Sequence, residues 1–299
     1  MKILITGATG LIGRNFVQRF DQYQYVVLTR NANAARKTLG PKPLLIQNLN
    51  ELSDLNTFSA VLNLAGEPIV GKRWSAKQKQ KITESRILTT QRLVHLIQQS
   101  SYPPRTFISG SAVGIYGVNC IAGCHEQSSP EATDFAAQLC VNWEQTAQQV
   151  AKITRVVTLR TAIVLSTQGG ALQKMLPAFR LNMGGPLSDG RQLMSWIHIE
   201  DMCNAIHFIL QNEDIAGPVN MAAPSPVTNL EFTKTLASVL QKTAIFPVPS
   251  LALKLLLGEA ASLLLGSQNV TPHVLQKANF KYKHAHLNKA LSHLISQKE

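Results

Sequence analysis

The chain opens Met1-Lys2-Ile3-Leu4-Ile5-Thr6-Gly7-Ala8-Thr9-Gly10-Leu11-Ile12-Gly13, and the order of residue types in that stretch decides the fold. Met1 to Thr6 is a short apolar run with β-branched content that stops at Gly7. Behind it Leu11, Ile12, Phe16, Val17 and Phe20 recur at helical spacing. A strand that passes through a glycine loop straight into a helix is the opening of a dinucleotide-binding βαβ unit. Each glycine has a task. Gly7 permits the sharp turn, Gly10 lets backbone approach a pyrophosphate, and Gly13 lets the helix pack close to the sheet. The helix start offers free N–H groups and partial positive charge to phosphates, so Thr9, Leu11 and Ile12 join Gly7, Gly10 and Gly13 as predicted cofactor contacts.

The second strand selects the dinucleotide. Tyr25-Val26-Val27-Leu28 runs into Thr29-Arg30-Asn31, where an NAD enzyme would carry a carboxylate for the adenosine ribose. A guanidinium there stacks on adenine and pairs with a 2′-phosphate, which a carboxylate would repel. Thr29 and Arg30 therefore predict NADP(H). Arg36 and Lys37 follow shortly.

Further apolar runs continue the rhythm. Pro43 to Ile46, Ala60 to Ala65 closing on Gly66, Thr106 to Ser109 closing on Gly110, and Arg155 to Leu159 alternate with helical patterns at Leu88–Ile97 and Trp143–Val150. Continuous apolar strands between amphipathic helices mean a parallel sheet covered on both faces. Residues 1–165 are thus predicted as a doubly wound α/β (Rossmann) domain. Residues 166–299, broken by prolines from Pro177 to Pro272, are mainly a smaller C-terminal substrate-side region, with segments near 190–221 returning to the sheet. Ligands bind outside the carboxyl ends of parallel strands. That rule places Leu64, Ala65 and Gly66 on the adenosine side of the cofactor, and Val164, at the end of the strand begun by Arg155, near the nicotinamide.

Composition narrows the class. Of 299 residues, 45% are hydrophobic, enough for a sizeable core and too many for a disordered chain. Only 15% are charged, yet the formal net charge is +12, which favours anionic partners such as a phosphorylated cofactor. Lys72, Arg73, Lys77, Lys79 and Lys81 cluster beside a single tryptophan, Trp74, with no RNA-binding motif; the reading is a solvated helix start, not a nucleic-acid surface. Leu251 to Leu265, the longest apolar stretch, is interrupted by Lys254, Gly258 and Glu259 and is shorter than the ~20 residues that span a bilayer. It reads as a buried or amphipathic helix, and no membrane partner is expected. Cys120, Cys124, Cys140 and Cys203 lack the spacing of a structural metal site and read as reduced thiols in a cytoplasmic protein, with no metal.

The glycine loop resembles that of extended short-chain dehydrogenases/reductases, the group that includes nucleotide-sugar epimerases. Further stretches narrow the likeness: Asn63-Leu64-Ala65-Gly66-Glu67-Pro68, Lys72-Arg73-Trp74, Glu84-Ser85-Arg86, Ser109-Gly110-Ser111-Ala112 with Tyr116-Gly117, Trp196-Ile197-His198-Ile199-Glu200-Asp201, Leu257-Gly258-Glu259 and Pro272-His273-Val274-Leu275. Over nearly the whole chain the sequence is similar to the atypical epimerase subgroup of bacterial YfcH-type proteins.

The resemblance implies a catalytic tyrosine and, one helical turn later, a lysine that binds the nicotinamide ribose and lowers the tyrosine's pKa. It also implies a serine on the preceding strand that hydrogen-bonds the substrate oxygen. This chain departs from the pattern. Alignment on Glu144 puts Ala136 at the tyrosine position and Cys140 at the lysine position, and the supporting asparagine maps to Arg86. Ser111 alone survives. Tyr116 is the candidate replacement acid/base, or else a ring that packs on cofactor or substrate. Arg86 is the candidate replacement for the lysine as a fixed charge near the cofactor. Glu67 is a candidate base or a structural carboxylate, and His198 and Asp201 read as structural. Two functions follow: an NADP(H)-dependent oxidoreductase or epimerase-like enzyme acting on an unknown small molecule, or a catalytically silent NADP(H)-binding sensor or scaffold.

Overall fold

A computed structural model describes residues 1–131 and 133–296. Its centre is a seven-stranded, wholly parallel sheet. The strands that build it, or branch from it, are β1 (Lys2–Thr6), β2 (Gln24–Leu28), β3 (Leu44–Ile46), β4 (Ala60–Asn63), β5 (Thr106–Ala112), β6 (Asn119–Cys124), β7 (Arg155–Thr161), β8 (Ile163–Leu165), β9 (Leu193–Met194), β10 (Trp196–His198) and β11 (Gly217–Met221). The sheet order is β11-β7-β5-β4-β1-β2-β3, so the chain winds outward from β1 in one direction and then reverses to cover the other half. The doubly wound fold is as the apolar runs predicted. The cofactor crevice belongs at that reversal, beside β1.

Both faces are covered. Helices α1 (Leu11–Arg19), α2 (Ala32–Leu39), α3 (Ala76–Gln99), α4 (Phe135–Gln148), α5 (Gly170–Arg180) and α6 (Ile199–Gln211) alternate with the strands. Alternation along each strand sorts side chains to opposite faces. Ile3, Ile5 and Val27 join Phe16 of α1 and Ile206 of α6 in one core, while Leu4, Val26, Val61 and Phe107 join Leu93 and Ile97 of α3 and Ala147 of α4 in another.

The structure departs from expectation in three places. The strand begun at Arg155 ends at Thr161, because Ala162 N still bonds Met221 O while Ile163 N has moved to Ser195 O. Val164 therefore lies on β8, paired with β10, and not on the central sheet. The apolar stretch from Leu251 is not one buried helix. It forms α8 (Ser250–Leu257), after α7 (Asn229–Val239), then a 3₁₀ turn Gly258–Ala261 and α9 (Ser262–Leu265). Gly258 at φ +60° breaks the run. Of α8 only Leu253 is buried, and Leu251, Leu255 and Leu256 are each about two-thirds exposed. Third, Cys120 and Cys124 are joined in a disulfide rather than reduced. An extended chain would hold residues four apart at roughly 13 Å. Gly123 at φ +104° curls the strand, so the two Cα atoms lie 6.2 Å apart.

The last strands, β12 (Val227–Thr228) and β13 (Ser267–Val270), and the last helices, α10 (His273–Lys277) and α11 (Leu287–Ser296), close the region. Three imidazoles latch α11 to the main body. His198 caps α6, its Nδ1 accepting from Glu200 N, and stacks on His284 with ring centroids 3.8 Å apart. Its Nε2 lies 3.2 Å from His293 Nδ1 on α11. The ring nitrogens of these three lie within 4.8 Å of one another, a spacing a metal could use. The tautomer opposes it. A neutral His198 that accepts at Nδ1 carries its proton on Nε2, which then donates to His293 and offers no lone pair to a cation.

Burial, with His284 adjacent, holds the His198 pKa down to about 3. The unfolded ring titrates near 6.5. The folded state thus resists protonation, and stability present above pH ~6.5 falls as pH drops toward 3, by up to about 1.4 kcal/mol per unit. Urea unfolding of the intact chain should show that loss between neutral and mildly acid pH. His198→Asn, which keeps a capping side chain, should flatten the slope.

Candidate functional site

The site is assembled where β1, β4 and β5 end. Gly7 turns at φ +70°, and a Cβ there would stand 2.5 Å from the carbonyl carbon of Leu64. A Cβ on Gly13 would stand 2.5 Å from Gly7 O. Both positions need glycine because the turn presses on the end of β4 from one side and on α1 from the other. Gly10 N bonds Gly7 O at 3.0 Å and closes the loop. Thr9 and Gly10 are exposed, Leu11 and Ile12 half-buried. Gly10 caps α1 without any side-chain bond, and the first turn carries no acidic residue. The opening amides of α1 therefore face outward with no side-chain cap. That uncapped cradle fits a pyrophosphate.

A buried polar network fixes the geometry beneath. Thr6 Oγ1 donates to Asn63 Oδ1 at 2.7 Å and accepts from Ala65 N at 3.1 Å, tying the end of β1 to the turn after β4. Asn63 Nδ2 donates to Thr90 Oγ1 on α3 at 2.8 Å and to Ser109 Oγ on β5 at 3.3 Å. Thr90 also accepts from Trp143 Nε1 of α4 at 2.9 Å. Every polar atom of the Asn63 side chain is used. Asn63, Thr90 and Trp143 were not among the predicted site residues; the signal was the Asn63-Leu64-Ala65-Gly66 stretch, whose asparagine sits inside an otherwise apolar strand.

Thr29 and Arg30 follow β2. Thr29 is buried and its hydroxyl meets the backbone of Asn31, which caps α2. Arg30 is exposed and makes no hydrogen bond or ion pair within 4 Å of any described residue, leaving its guanidinium open to a ligand. Arg36 instead staples the turn to β3, donating to the carbonyls of Pro41 and Pro43.

Arg86 reaches the same edge from α3. Its Nη1 donates to Glu67 O and Ile82 O, both at 3.0 Å, and its guanidinium lies over the Trp143 ring. It presses on Gly66, where a Cβ would meet its Cζ at 2.9 Å. Burial pulls its pKa down, and Cys140 and Glu67 oppose that pull. The guanidinium thus lies electrostatically beside Cys140, the position where the sequence comparison lacked a lysine. Cys140 is no base: burial, with Glu144 adding, pushes its thiol up to about 12.

Ser111 and Tyr116 fall into a second buried network. Ser111 Oγ donates to Glu144 Oε1 at 2.7 Å, and Glu144 is held by Arg160 through both its oxygens at 2.9 Å. Arg160 Nη1 also donates to Tyr116 Oη, which donates onward to Asn220 Oδ1 at 2.8 Å. Tyr116 is 2% exposed, and burial raises its pKa despite the cation beside it. Both the proton and an accepting lone pair of that hydroxyl are engaged within the protein. From sequence Glu144 served only as an alignment anchor, and Arg160 and Asn220 were not among the predicted site residues, since three residues on separate elements leave no spacing signal.

The loop after β8 comes back to the glycine turn. Val164 is half-buried, its carbonyl lies against Gly170, and Gly169 packs on Leu11. Arg14 Nη2 donates to Gln168 O at 2.6 Å. The chain beyond Val164 is thus brought to the opening of α1. Beyond it, an open groove of 980 Å³ runs between β6, β13 and α8, with Asn119, Arg191, Lys254 and Glu259 among its lining residues. The basic residues around the start of α3 are partly paired: Lys72 with Glu67, and Lys79 with Glu259.

A parallel doubly wound sheet with an uncapped glycine cradle at its reversal defines a dinucleotide-binding α/β protein. The chain belongs to the NAD dependent epimerase/dehydratase family, which matches residues 3–222. A domain of unknown function, DUF1731, matches residues 248–294. A chloroplastic SDR39U1 homologue of Arabidopsis thaliana, an epimerase family protein, is 39% identical, covering 97% of this chain and 86% of that one. Epimerase family protein SAR0825 of Staphylococcus aureus is 35% identical, over 98% of this chain and 99% of that protein. Among solved structures, human epimerase family protein SDR39U1 with NADPH superposes with a TM-score of 0.91 at 31% identity, covering 99% of each chain.

Asn63→Ala should leave Thr6, Thr90 and Ser109 short of partners inside the protein. Each buried polar group so stranded costs about 1–3 kcal/mol, and urea denaturation should report a loss of about 3 kcal/mol.

Proposed function

We propose that this chain binds NADP(H) across its β1 turn and acts as an oxidoreductase or epimerase-like enzyme on a small molecule. The observation that carries the reading is the pairing of an uncapped glycine cradle with an unpaired Arg30 just past β2. The NADPH in the similar human structure supports it. When bound, the nicotinamide supplies hydride chemistry. The amides of Thr9, Leu11 and Ile12 would hold the pyrophosphate, and Arg30 would hold the 2′-phosphate. Leu64, Ala65 and Gly66 line the adenosine side, Arg86 braces that turn from behind, and Val164 borders the nicotinamide end.

Ser111 is the residue proposed to meet substrate. Its proton goes to Glu144, which Arg160 pairs through both oxygens, so the Ser111 oxygen is turned to accept from a substrate hydroxyl. Tyr116 positions Arg160 and Asn220 rather than exchanging a proton itself. The groove between β6, β13 and α8 has the size of a small-molecule site.

A second reading, a binding protein without turnover, has its own observation. Ala136 and Cys140, at the expected tyrosine and lysine positions, are both buried and neither is a base. Fluorescence titration of the purified protein should show NADPH bound more tightly than NADH, and Arg30→Ala should weaken NADPH at least tenfold with little effect on NADH. Binding of neither dinucleotide would refute the proposal. Incubation with stereospecifically deuterated NADPH and a metabolite extract separates the two readings: substrate-dependent loss of label from C4 establishes an enzyme, and full retention favours the silent binder.

A further inference from the structure

The loop after β4 carries a charge pair whose place in the fold gives it a task. In register, Thr6 at the end of β1 pairs with Leu28 on one side and Asn63 on the other. Arg30 stands two residues past Leu28 and Glu67 four past Asn63, so both follow strands that end at the same edge of the sheet on either side of β1. Glu67 is fixed at its backbone: its N–H bonds Ser85 Oγ at 2.9 Å and its carbonyl accepts from Arg86. Its side chain accepts from Lys72 Nζ at 3.2 Å. Beside it Gln78, nine-tenths buried at the start of α3, turns its side chain toward the Glu67 carboxylate. Lys72 first, with Gln78 and Arg30 adding, keeps the Glu67 carboxyl below its usual range.

We propose that Glu67 and Lys72 are specificity residues for the phosphorylated dinucleotide: Lys72 is a second cation for the 2′-phosphate, and Glu67 holds it in place until the phosphate takes it over. The inference rests on the NADP(H) reading above. Its logic is charge matching. A bound phosphate monoester brings a charge of about −1.5 to −2. Arg30 and Lys72 together match it, whereas Glu67 leaves one negative charge in excess. Glu67 therefore moderates affinity for NADPH, and Lys72 raises it. NADH, lacking the phosphate, is indifferent to both.

Dissociation constants for NADPH and NADH, measured at low and high salt on wild type, Lys72→Met and Glu67→Gln, test this. Lys72→Met should weaken NADPH about three- to tenfold and Glu67→Gln should tighten it by a similar factor, with NADH unchanged and both effects shrinking at high salt. Lys72 is largely exposed and Glu67 partly so, and thermal unfolding of both variants should match wild type. Equal shifts for both dinucleotides, or no shift for NADPH, overturn the clamp while leaving the cofactor reading intact. A wild-type protein that binds neither dinucleotide overturns the cofactor reading itself.

Discussion

Thr6 and Asn63, the last residues of two neighbouring strands, share a hydrogen bond of 2.7 Å buried away from solvent. Around that bond the site takes shape. Thr6 also holds the amide of Ala65, so the turn after β4 cannot drift from the turn after β1. Asn63 in turn grips α3 through Thr90 and β5 through Ser109, and Thr90 receives α4 through Trp143. A fully satisfied buried network of this kind is worth more than its separate bonds, and it specifies one arrangement. Gly7 can then lie against Leu64 with no room for a side chain between them.

The site is organised as two networks with different jobs. The Thr6–Asn63 network builds a neutral floor beneath a cradle that keeps its amides outward. The Ser111–Glu144–Arg160–Tyr116–Asn220 network is charged and buried, and a buried ion pair needs such extra hydrogen bonds to offset desolvation. It links β5, α4, β7 and β11, and it lies beside Cys140, a buried thiol near which Arg86 brings positive charge.

The C-terminal region extends this frame. It meets the sheet through β11 and through the imidazole latch of His198, His284 and His293, and it walls the groove along β6 and β13. Its α8 leaves Leu251, Leu255 and Leu256 exposed.

Much of the fold was legible in residue order. Short apolar runs, the glycine spacing and Arg30 after the second strand are local signals, and strand-turn-helix geometry is set by residues close in sequence. Asn63, Thr90, Trp143, Glu144, Arg160 and Asn220 carry no such signal, since their partners lie on other elements and only the folded chain brings them together. The same reason accounts for Val164, which lies off the central sheet and pairs with Ile197 of β10, and for Cys120 and Cys124, which meet where Gly123 curls the strand between them. By itself the sequence determined a doubly wound sheet and the glycine turn that opens it. Tertiary structure alone decided which side chains remain free to act, because burial and long-range hydrogen bonds consume Tyr116 and Cys140 and leave Arg30 open.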